Sequence, residues 1–211
     1  MLPLRLHGEP LRVLCIGAHS DYIEIGCGAT LLTLAVGRTL AFDWVVLSAA
    51  GERVAEAREG AARFGGGVTP QLHAFTDGRF PMQADALKDV FAELGRRVTP
   101  DVIFTHREGD RHQDHDLVNR LTWQTFRDHL ILEYEIPKYD GDLGQPNVFV
   151  EITPELAAAK SEHLLAAFPS QASKPWFRAD TFRSLMTLRG IECRATSGLA
   201  EGFYARKALV Q

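Results

Sequence analysis

The chain has 211 residues, a formal net charge of -4 and 45% hydrophobic residues, values that suit one globular domain with a sizeable core. The slightly acidic balance gives no reason to expect a nucleic acid or an anionic membrane as a partner. No apolar run approaches the roughly 20 residues of a membrane-spanning helix, and the segment 1–10 lacks the pattern of a signal peptide.

Short apolar runs alternate with segments of helical periodicity along the chain. This alternation predicts an α/β fold, a Rossmann-like three-layer sandwich with a mostly parallel central sheet. The predicted strands cover 12–18, 43–49, 71–75, 101–106, 129–136 and 148–152, with a last edge strand within 202–210. The predicted helices cover 29–37, 52–65, 84–98, 114–129 and 154–168, with one more around 182–190. No repeat or linker divides the chain, so we expect a single domain over residues 1–211.

Two polar clusters follow predicted strands. AHSDYIEIG comes directly after the first strand, and HREGDRHQDH follows the fourth. In open α/β sheets, ligands bind at the carboxyl ends of strands, where the strand order reverses. The first and fourth strands are neighbours at that point in a Rossmann-like order. We therefore expect the two clusters to face each other across one crevice.

The second cluster contains Asp110, His112, Asp114 and His115 within six residues. Helix capping would account for Asp114 alone, but not for the histidines beside it. Imidazoles and carboxylates are ligands of zinc, and a catalytic zinc site needs three protein ligands. His19 and His115 would supply two nitrogens from opposite sides of the crevice. One carboxylate would complete the ligand set, and another would accept a proton from the attacking water.

These motifs resemble those of the LmbE-like, or PIG-L, de-N-acetylases, zinc-dependent hydrolases of N-acyl amino sugars and related amides. The family signature is His-(Pro or Ser)-Asp-Asp-x-Glu-x-Gly-x-Gly after the first strand and His-x-Asp-His after the fourth. This chain has AHSDYIEIGCG and RHQDH there. ERVAEAREGAARFG resembles the family's Arg-x-x-Glu helix that ends at glycine, and the motif residues correspond to Arg53, Glu56 and Gly65. The resemblance continues through EIPKYDGD, FPSQASKPWF and LRGIE, so it covers nearly the whole chain.

The resemblance implies a role for each matching residue. His19 and His115 fall on zinc ligands, and Asp21 falls on the general base that activates water. His112 falls on the residue that stabilises the oxyanion or protonates the leaving amine. Asp114 falls on the carboxylate that orients His112.

One position departs from the family pattern. The family's third zinc ligand is the second aspartate of the first motif, and this chain has Tyr22 there. Three alternatives follow. Tyr22 binds the metal through its phenol, Asp21 or Glu24 moves into the ligand position, or the metal is absent and the pocket binds without hydrolysis. Glu24 is otherwise expected to anchor the loop by accepting hydrogen bonds from backbone or hydroxyl donors.

Three further residues are candidates for substrate contacts. Arg53 could hold a hydroxyl or phosphate group of the substrate. Tyr134 and Lys138 lie where the chain leaves the fifth strand, where we expect a substrate-facing loop.

These observations predict a zinc- or other divalent-metal-dependent hydrolase that removes an acyl group from an amino sugar or related metabolite. The alternative is a metal-poor relative that binds or transforms a small metabolite without hydrolysing an amide. A dinucleotide enzyme is disfavoured, because His and Asp stand where its phosphate-binding glycines belong. The scattered cysteines Cys15, Cys27 and Cys193 indicate a reducing, cytoplasmic location. The sequence leaves a homo-oligomer open.

Overall fold

The computed structural model describes residues 3–209. A seven-stranded sheet in the order β3-β2-β1-β4-β5-β7-β6 carries helices on both faces. Its strands are β1 (Leu11–His19), β2 (Leu40–Ser48), β3 (Gln71–Leu72), β4 (Val102–His106), β5 (Leu130–Tyr134), β6 (Val148–Glu151) and β7 (Ala200–Tyr204). Its helices are α1 (Tyr22–Leu34), α2 (Arg53–Phe64), α3 (Ala84–Arg97), α4 (Gln113–Thr125), α5 (Pro154–Ala167) and α6 (Ala179–Cys193). Within the described residues, no helix is both long and apolar enough to cross a membrane.

The central strand β1 shows why the chain forms three layers. Its side chains are buried on both faces, as expected for a strand of a parallel sheet covered on both sides. Val13 and Cys15 pack in the core beneath α1, α2 and α5, whereas Leu14 and Ile16 pack in the core beneath α3 and α4. Strands β1 to β5 pair in parallel, and β7 pairs antiparallel with both β5 and β6. The predicted α/β class and mostly parallel sheet are confirmed.

Helix α1 begins at Tyr22, so the predicted start at residue 29 is wrong. The first turns of α1 could not be predicted from helix propensity, because they contain Gly26 and Gly28 and glycine is a poor helix former. Their small size serves packing instead. A Cβ at Gly26 would collide with the ring of Tyr134, and one at Gly28 would lie 2.6 Å from the ring of Phe64.

Two strands also differ from expectation. The C-terminal strand β7 lies between β5 and β6, so the predicted last edge strand is in fact an interior strand, and β6 forms that edge. Residues 200–203 of β7 are buried, as an interior position requires. Residue 210 of the predicted segment lies outside the described residues. Strand β3 covers two residues instead of the five predicted, which leaves residues 73–79 as a loop that reaches the site.

Candidate metal centre

The two polar clusters meet at the carboxyl ends of β1 and β4. These strands are parallel neighbours, with Cys15 opposite Phe104 in the register. His19 is the last residue of β1, and the loop after β4 leads to His112 and His115 at the start of α4. The ring centroid of His19 lies 5.2 Å from that of His112 and 5.5 Å from that of His115.

His19 is held by two carboxylates through one ring nitrogen. Its Nε2 lies 2.8 Å from Asp77 and 3.3 Å from Asp114, while its Nδ1 is buried without a hydrogen-bond partner among the described residues. Burial lowers the pKa of His19, but the hydrogen bonds to Asp114 and Asp77 and their charges outweigh burial and raise that pKa to about 9. The Nε2 nitrogen is therefore engaged by carboxylates, whereas Nδ1 has no hydrogen-bond partner in the described chain and can bind an ion once it has lost its proton.

His115 has the same arrangement around its own ring. Its Nδ1 lies 3.0 Å from Asp110, and its Nε2 is buried without a hydrogen-bond partner in the described chain. Burial, followed by the charges of His19 and His112, lowers the pKa of His115 well below its usual value. The neutral ring that results donates Nδ1–H to Asp110 and leaves the lone pair of Nε2 free.

These two histidines fit a divalent ion. Histidines that bind metals usually donate their second ring nitrogen to a carboxylate, as His19 and His115 both do here. Two imidazoles bound to one zinc ion at about 2.1 Å would have ring centroids roughly 5 Å apart. The observed 5.5 Å and the 57° angle between the ring planes are compatible with a shared ion.

The other two histidines of the site are placed differently. His106 and His112 both stack against His115, at centroid distances of 4.0 and 4.3 Å and interplanar angles of 20° and 21°. Lone pairs of nearly parallel, stacked rings cannot point at one common ion. Neither ring is therefore oriented to share an ion with His115, although donor atoms of His106, Asp110 and His115 lie within 4.8 Å of one another, as do those of His112, His19, Asp77 and Asp114.

Tyr22 lies beside both candidate ligands. Its ring meets His19 edge-on at 5.1 Å and His115 at 4.8 Å, with interplanar angles of 85° and 80°. Burial raises the pKa of the phenol, and the carboxylates of Asp21 and Asp77 raise it further. In the protein alone the phenol is therefore neutral.

Asp21 is buried and paired with α2. Its carboxylate lies 2.9 Å from the Arg53 guanidinium, which also donates to Ser170 at 3.1 Å and contacts Glu56. Burial raises the pKa of Asp21, while the charges of Arg53 and His19 oppose that rise. Most donors of Arg53 are used inside the protein, and its side chain keeps 22% exposure.

The expectation for Glu24 is wrong. Both of its carboxyl oxygens are buried without a hydrogen-bond partner among the described residues, and Oε1 lies against Gly60. Burial raises the pKa of Glu24 well above its usual value, which favours the neutral form of the carboxyl. Since α1 starts at Tyr22, residue 24 points about 200° away from it around the helix and cannot move into the ligand position.

Asp114 acts differently from the expectation as well. Its carboxylate accepts the backbone N–H groups of Gly78 at 2.7 Å and Phe80 at 3.1 Å, besides contacting His19. His112 is the N-cap of α4 and accepts the backbone N–H of Asp114. The Asp114 carboxylate therefore holds His19 and the β3–α3 loop, and the prediction that it orients His112 is corrected.

Neither Tyr134 nor Lys138 is available as a substrate ligand. Tyr134 is fully buried, and its hydroxyl donates to the carbonyl of Ile16 at 2.7 Å. The side chain of Lys138 is 9% exposed and is occupied by Asp110 and Asp142. The predicted substrate contacts are corrected, because β5 runs as far as Tyr134 and turns its ring into the core.

The structure adds residues that sequence reasoning did not assign. Asp77 belongs to an ordinary Thr-Asp-Gly turn, which carries no signal of a site. Asp110 lies in the second motif, but its contact with His115 depends on how the loop folds. His106 ends β4 and accepts the backbone N–H of Ala18 at 3.0 Å, so it joins the two central strands below the site.

Comparison with known proteins shows the family. Residues 14–126 match the model of the PIG-L family, described as GlcNAc-PI de-N-acetylase, and the chain belongs to this family. One relative, the "Uncharacterized deacetylase YaiS" of Escherichia coli (strain K12), is 34% identical over 140 residues. That alignment covers 59% of this chain and 74% of the relative.

Several solved structures have the same fold. The conserved protein TT1542 from Thermus thermophilus has a TM-score of 0.74 at 22% identity, covering 95% of this chain and 97% of that one. The N,N'-diacetylchitobiose deacetylase from Pyrococcus horikoshii has a TM-score of 0.67 at 19% identity, covering 92% and 83%. GalB, the 4-carboxy-2-hydroxymuconate hydratase of Pseudomonas putida KT2440, has a TM-score of 0.70 at 19% identity, covering 95% of this chain and 98% of that one. The fold therefore occurs in both a deacetylase and a hydratase.

Proposed function

We propose that this protein is a divalent-metal-dependent deacetylase that removes an acyl group, such as acetyl, from the amide nitrogen of an amino sugar or related small metabolite. Membership of the de-N-acetylase family supports the reaction class. The observation that carries the proposal is the pair of buried nitrogens, Nδ1 of His19 and Nε2 of His115, which have no hydrogen-bond partner among the described residues; Asp21, two residues after His19, has a buried carboxylate.

His19 and His115 would hold Zn²⁺ or another divalent ion, with Tyr22 at the third position. When bound, such an ion supplies Lewis-acid polarisation of the amide carbonyl. Asp21 accepts the proton of the attacking water, and the ion pair with Arg53 fixes the position of the Asp21 carboxylate.

His112 serves the oxyanion or the leaving group. Its half-buried ring lies 5.2 Å from that of His19, whereas the neighbouring His115 is fully buried. From this place, its ring nitrogen can donate to the oxyanion of the tetrahedral intermediate or pass a proton to the departing amine. The side chain of Arg53 keeps 22% exposure, and this exposed part would meet a hydroxyl group of the substrate.

The buried free thiols of Cys15, Cys27 and Cys193 support a reducing compartment, and we place the reaction in the cytoplasm. The substrate is a small molecule. A homo-oligomer is compatible with this proposal but is not required by it.

A second candidate function is the transformation of a small metabolite without amide hydrolysis. Tyr22 favours it, because a neutral phenol replaces the ionised carboxylate of the family motif and weakens the attraction for a cation. The hydratase of the same fold supports this candidate at the level of architecture alone.

Metal content and product release distinguish the two functions. The protein purified without chelator would be analysed for metals by mass spectrometry, and a panel of N-acetyl amino sugars would be assayed for released acetate. About one equivalent of a divalent ion together with acetate release supports the deacetylase. Absence of metal and of acetate release, even after zinc is added, supports the second candidate.

A further inference from the structure

Lys138 is a buried cation between two buried carboxylates. Its Nζ lies 3.0 Å from Asp110 Oδ2 and 2.7 Å from each carboxylate oxygen of Asp142. The side chains are 9% exposed for Lys138, 1% for Asp110 and 5% for Asp142. An ammonium group has three N–H donors, so this one is fully engaged by three oxygens inside the protein.

Asp110 connects this cation to the candidate metal ligand. Its Oδ2 accepts from both Lys138 and His115 Nδ1, each at 3.0 Å, and its Oδ1 accepts the backbone N–H of His112 at 2.9 Å. Three donors therefore fix one carboxylate, and one of them belongs to His115, whose Nε2 is buried without a hydrogen-bond partner among the described residues.

Asp142 extends the same network to a second loop. Its Oδ2 accepts the backbone N–H of Arg111 at 2.8 Å, and the guanidinium of Arg107 contacts its carbonyl oxygen. The loop after β5 is thereby joined to the loop after β4. Lys138 lies at the centre of this junction.

We propose that Lys138 is a positioning residue for the metal centre: it fixes Asp110 so that His115 keeps Nδ1–H engaged and presents Nε2 to the ion. This inference rests on the proposed role of His115 as a metal ligand. Groups that hydrogen-bond to metal-bound histidines fix the tautomer and ring orientation, and their loss typically costs about 10–100-fold in metal affinity. Loss of Lys138 would also leave two buried carboxylates without their cation.

The chain offers a matched control in Lys160. This lysine is also buried, with 4% side-chain exposure, and pairs with Glu201 at 2.5 Å while donating to the carbonyl of Ile25. Glu201 in turn accepts backbone N–H groups of α1, and this network contacts no histidine of the site. Lys160→Met therefore reproduces the loss of a buried ion pair without touching Asp110.

The test compares Lys138→Met with Lys160→Met in the full chain. Zinc affinity is measured by competition with a chromophoric chelator, and the His115 tautomer is read from ¹⁵N ring shifts of the metal-free protein. We expect Lys138→Met to lose at least about tenfold in zinc affinity and to show mixed tautomers at His115. Lys160→Met should keep the zinc affinity within about threefold of that of the unaltered protein and leave the His115 tautomer unchanged. Its loss of stability should be comparable to that of Lys138→Met.

Two further variants cover a failure of Lys138→Met to fold. Lys138→Arg retains the charge and should restore the affinity to within about threefold, while Asp142→Asn loosens Lys138 and should give an intermediate loss. Equal losses in the two lysine variants, or an unchanged His115 tautomer in Lys138→Met, would overturn the inference. Acetate release is assayed separately, so an inactive protein with the expected affinities would contradict the proposed deacetylase alone.

Discussion

Asp21 and Arg53 form a 2.9 Å ion pair that joins the start of α1 to the start of α2 at the edge of the candidate site. Asp21 is 3% exposed and Arg53 22%, so solvent screens the pair weakly. Because the guanidinium already matches the charge of the Asp21 carboxylate, we expect Asp21 to act as a base and not as a metal ligand. Arg53 also opposes the rise that burial produces in the pKa of Asp21.

Asp21→Asn should therefore abolish most turnover while zinc binding survives. We expect acetate release to fall by about 10²–10⁴-fold, the usual contribution of a general base, and zinc affinity to change by less than about threefold. Kinetics and a chelator competition would measure the two effects. Glu59→Gln, on the exposed side of α2 where Glu59 pairs with Arg63, is the control. Parallel losses of metal and activity would mark Asp21 as a ligand.

Substitutions of Tyr22 test the third ligand position. Tyr22→Asp should raise zinc affinity by at least about tenfold, because a carboxylate is ionised at neutral pH and the buried phenol is not. Tyr22→Phe should lower it by a similar factor. Isothermal titration with zinc measures both. Affinity in Tyr22→Phe equal to that of the unaltered protein would exclude the phenol as a ligand.

The acetate assay on the same variants bears on the second candidate function. If Tyr22→Asp released acetate from substrates that the unaltered protein leaves intact, Tyr22 would be the residue that prevents amide hydrolysis in the unaltered protein. The deacetylase proposal instead expects the unaltered protein to release acetate from at least one substrate of the panel.

Zinc affinity should rise with pH. The pKa of His19 is about 9 in the metal-free protein, so Nδ1 must lose a proton before it can bind an ion. Apparent affinity should therefore increase by about tenfold per pH unit between pH 6 and 8 and level off near pH 9. Asp77→Asn removes one of the groups that raise this pKa and should shift the plateau to lower pH. An affinity independent of pH over this range would contradict the assignment of His19.

Glu24 should make stability depend on pH in the opposite sense to an ordinary ion-paired carboxylate. Its pKa is raised in the folded state, so the folded protein retains a proton that the unfolded chain loses above its own pKa of about 4.3. The contribution of the protonated Glu24 to the free energy of unfolding is fully present below about pH 4.3, and it falls as the pH rises toward the pKa of the folded state. Glu24→Gln should therefore be more stable than the unaltered protein at pH 8 and equal to it near pH 4.

Urea unfolding at the two pH values measures the effect of Glu24→Gln. Glu59→Gln serves again as the exposed control and should change stability by less than about 0.5 kcal/mol at either pH. An advantage of Glu24→Gln that is the same at pH 4 and pH 8 would show that Glu24 does not carry the extra proton.

Tyr134→Phe should affect stability and leave substrate binding unchanged. The hydroxyl donates to the carbonyl of Ile16 in β1, and its removal should cost about 1 kcal/mol in the free energy of unfolding. The KM should stay within about twofold because the ring lies in the core. A large rise in KM without loss of stability would show that Tyr134 contacts the substrate.

The sequence predicted the architecture and the meeting of the two polar clusters because both depend on local patterns. Apolar runs and helical periodicity identified β1 and β4, and their parallel pairing follows from general rules of α/β topology. The motifs at the ends of these strands then had to converge. His19 and His115 could be singled out together for this reason, and the family model matches the same part of the chain.

The tertiary structure alone decided which side chains are available for chemistry. Tyr134 and Lys138 lie at and just after the end of β5, where the sequence predicted a substrate-facing loop. The hydroxyl of Tyr134 is hydrogen-bonded to β1, and the ammonium group of Lys138 is paired with Asp110 and Asp142. Asp77 carries no motif and still contacts His19. The physical reason is that availability depends on burial and on partners from distant segments. Neither is encoded in the residues that surround a position in the sequence.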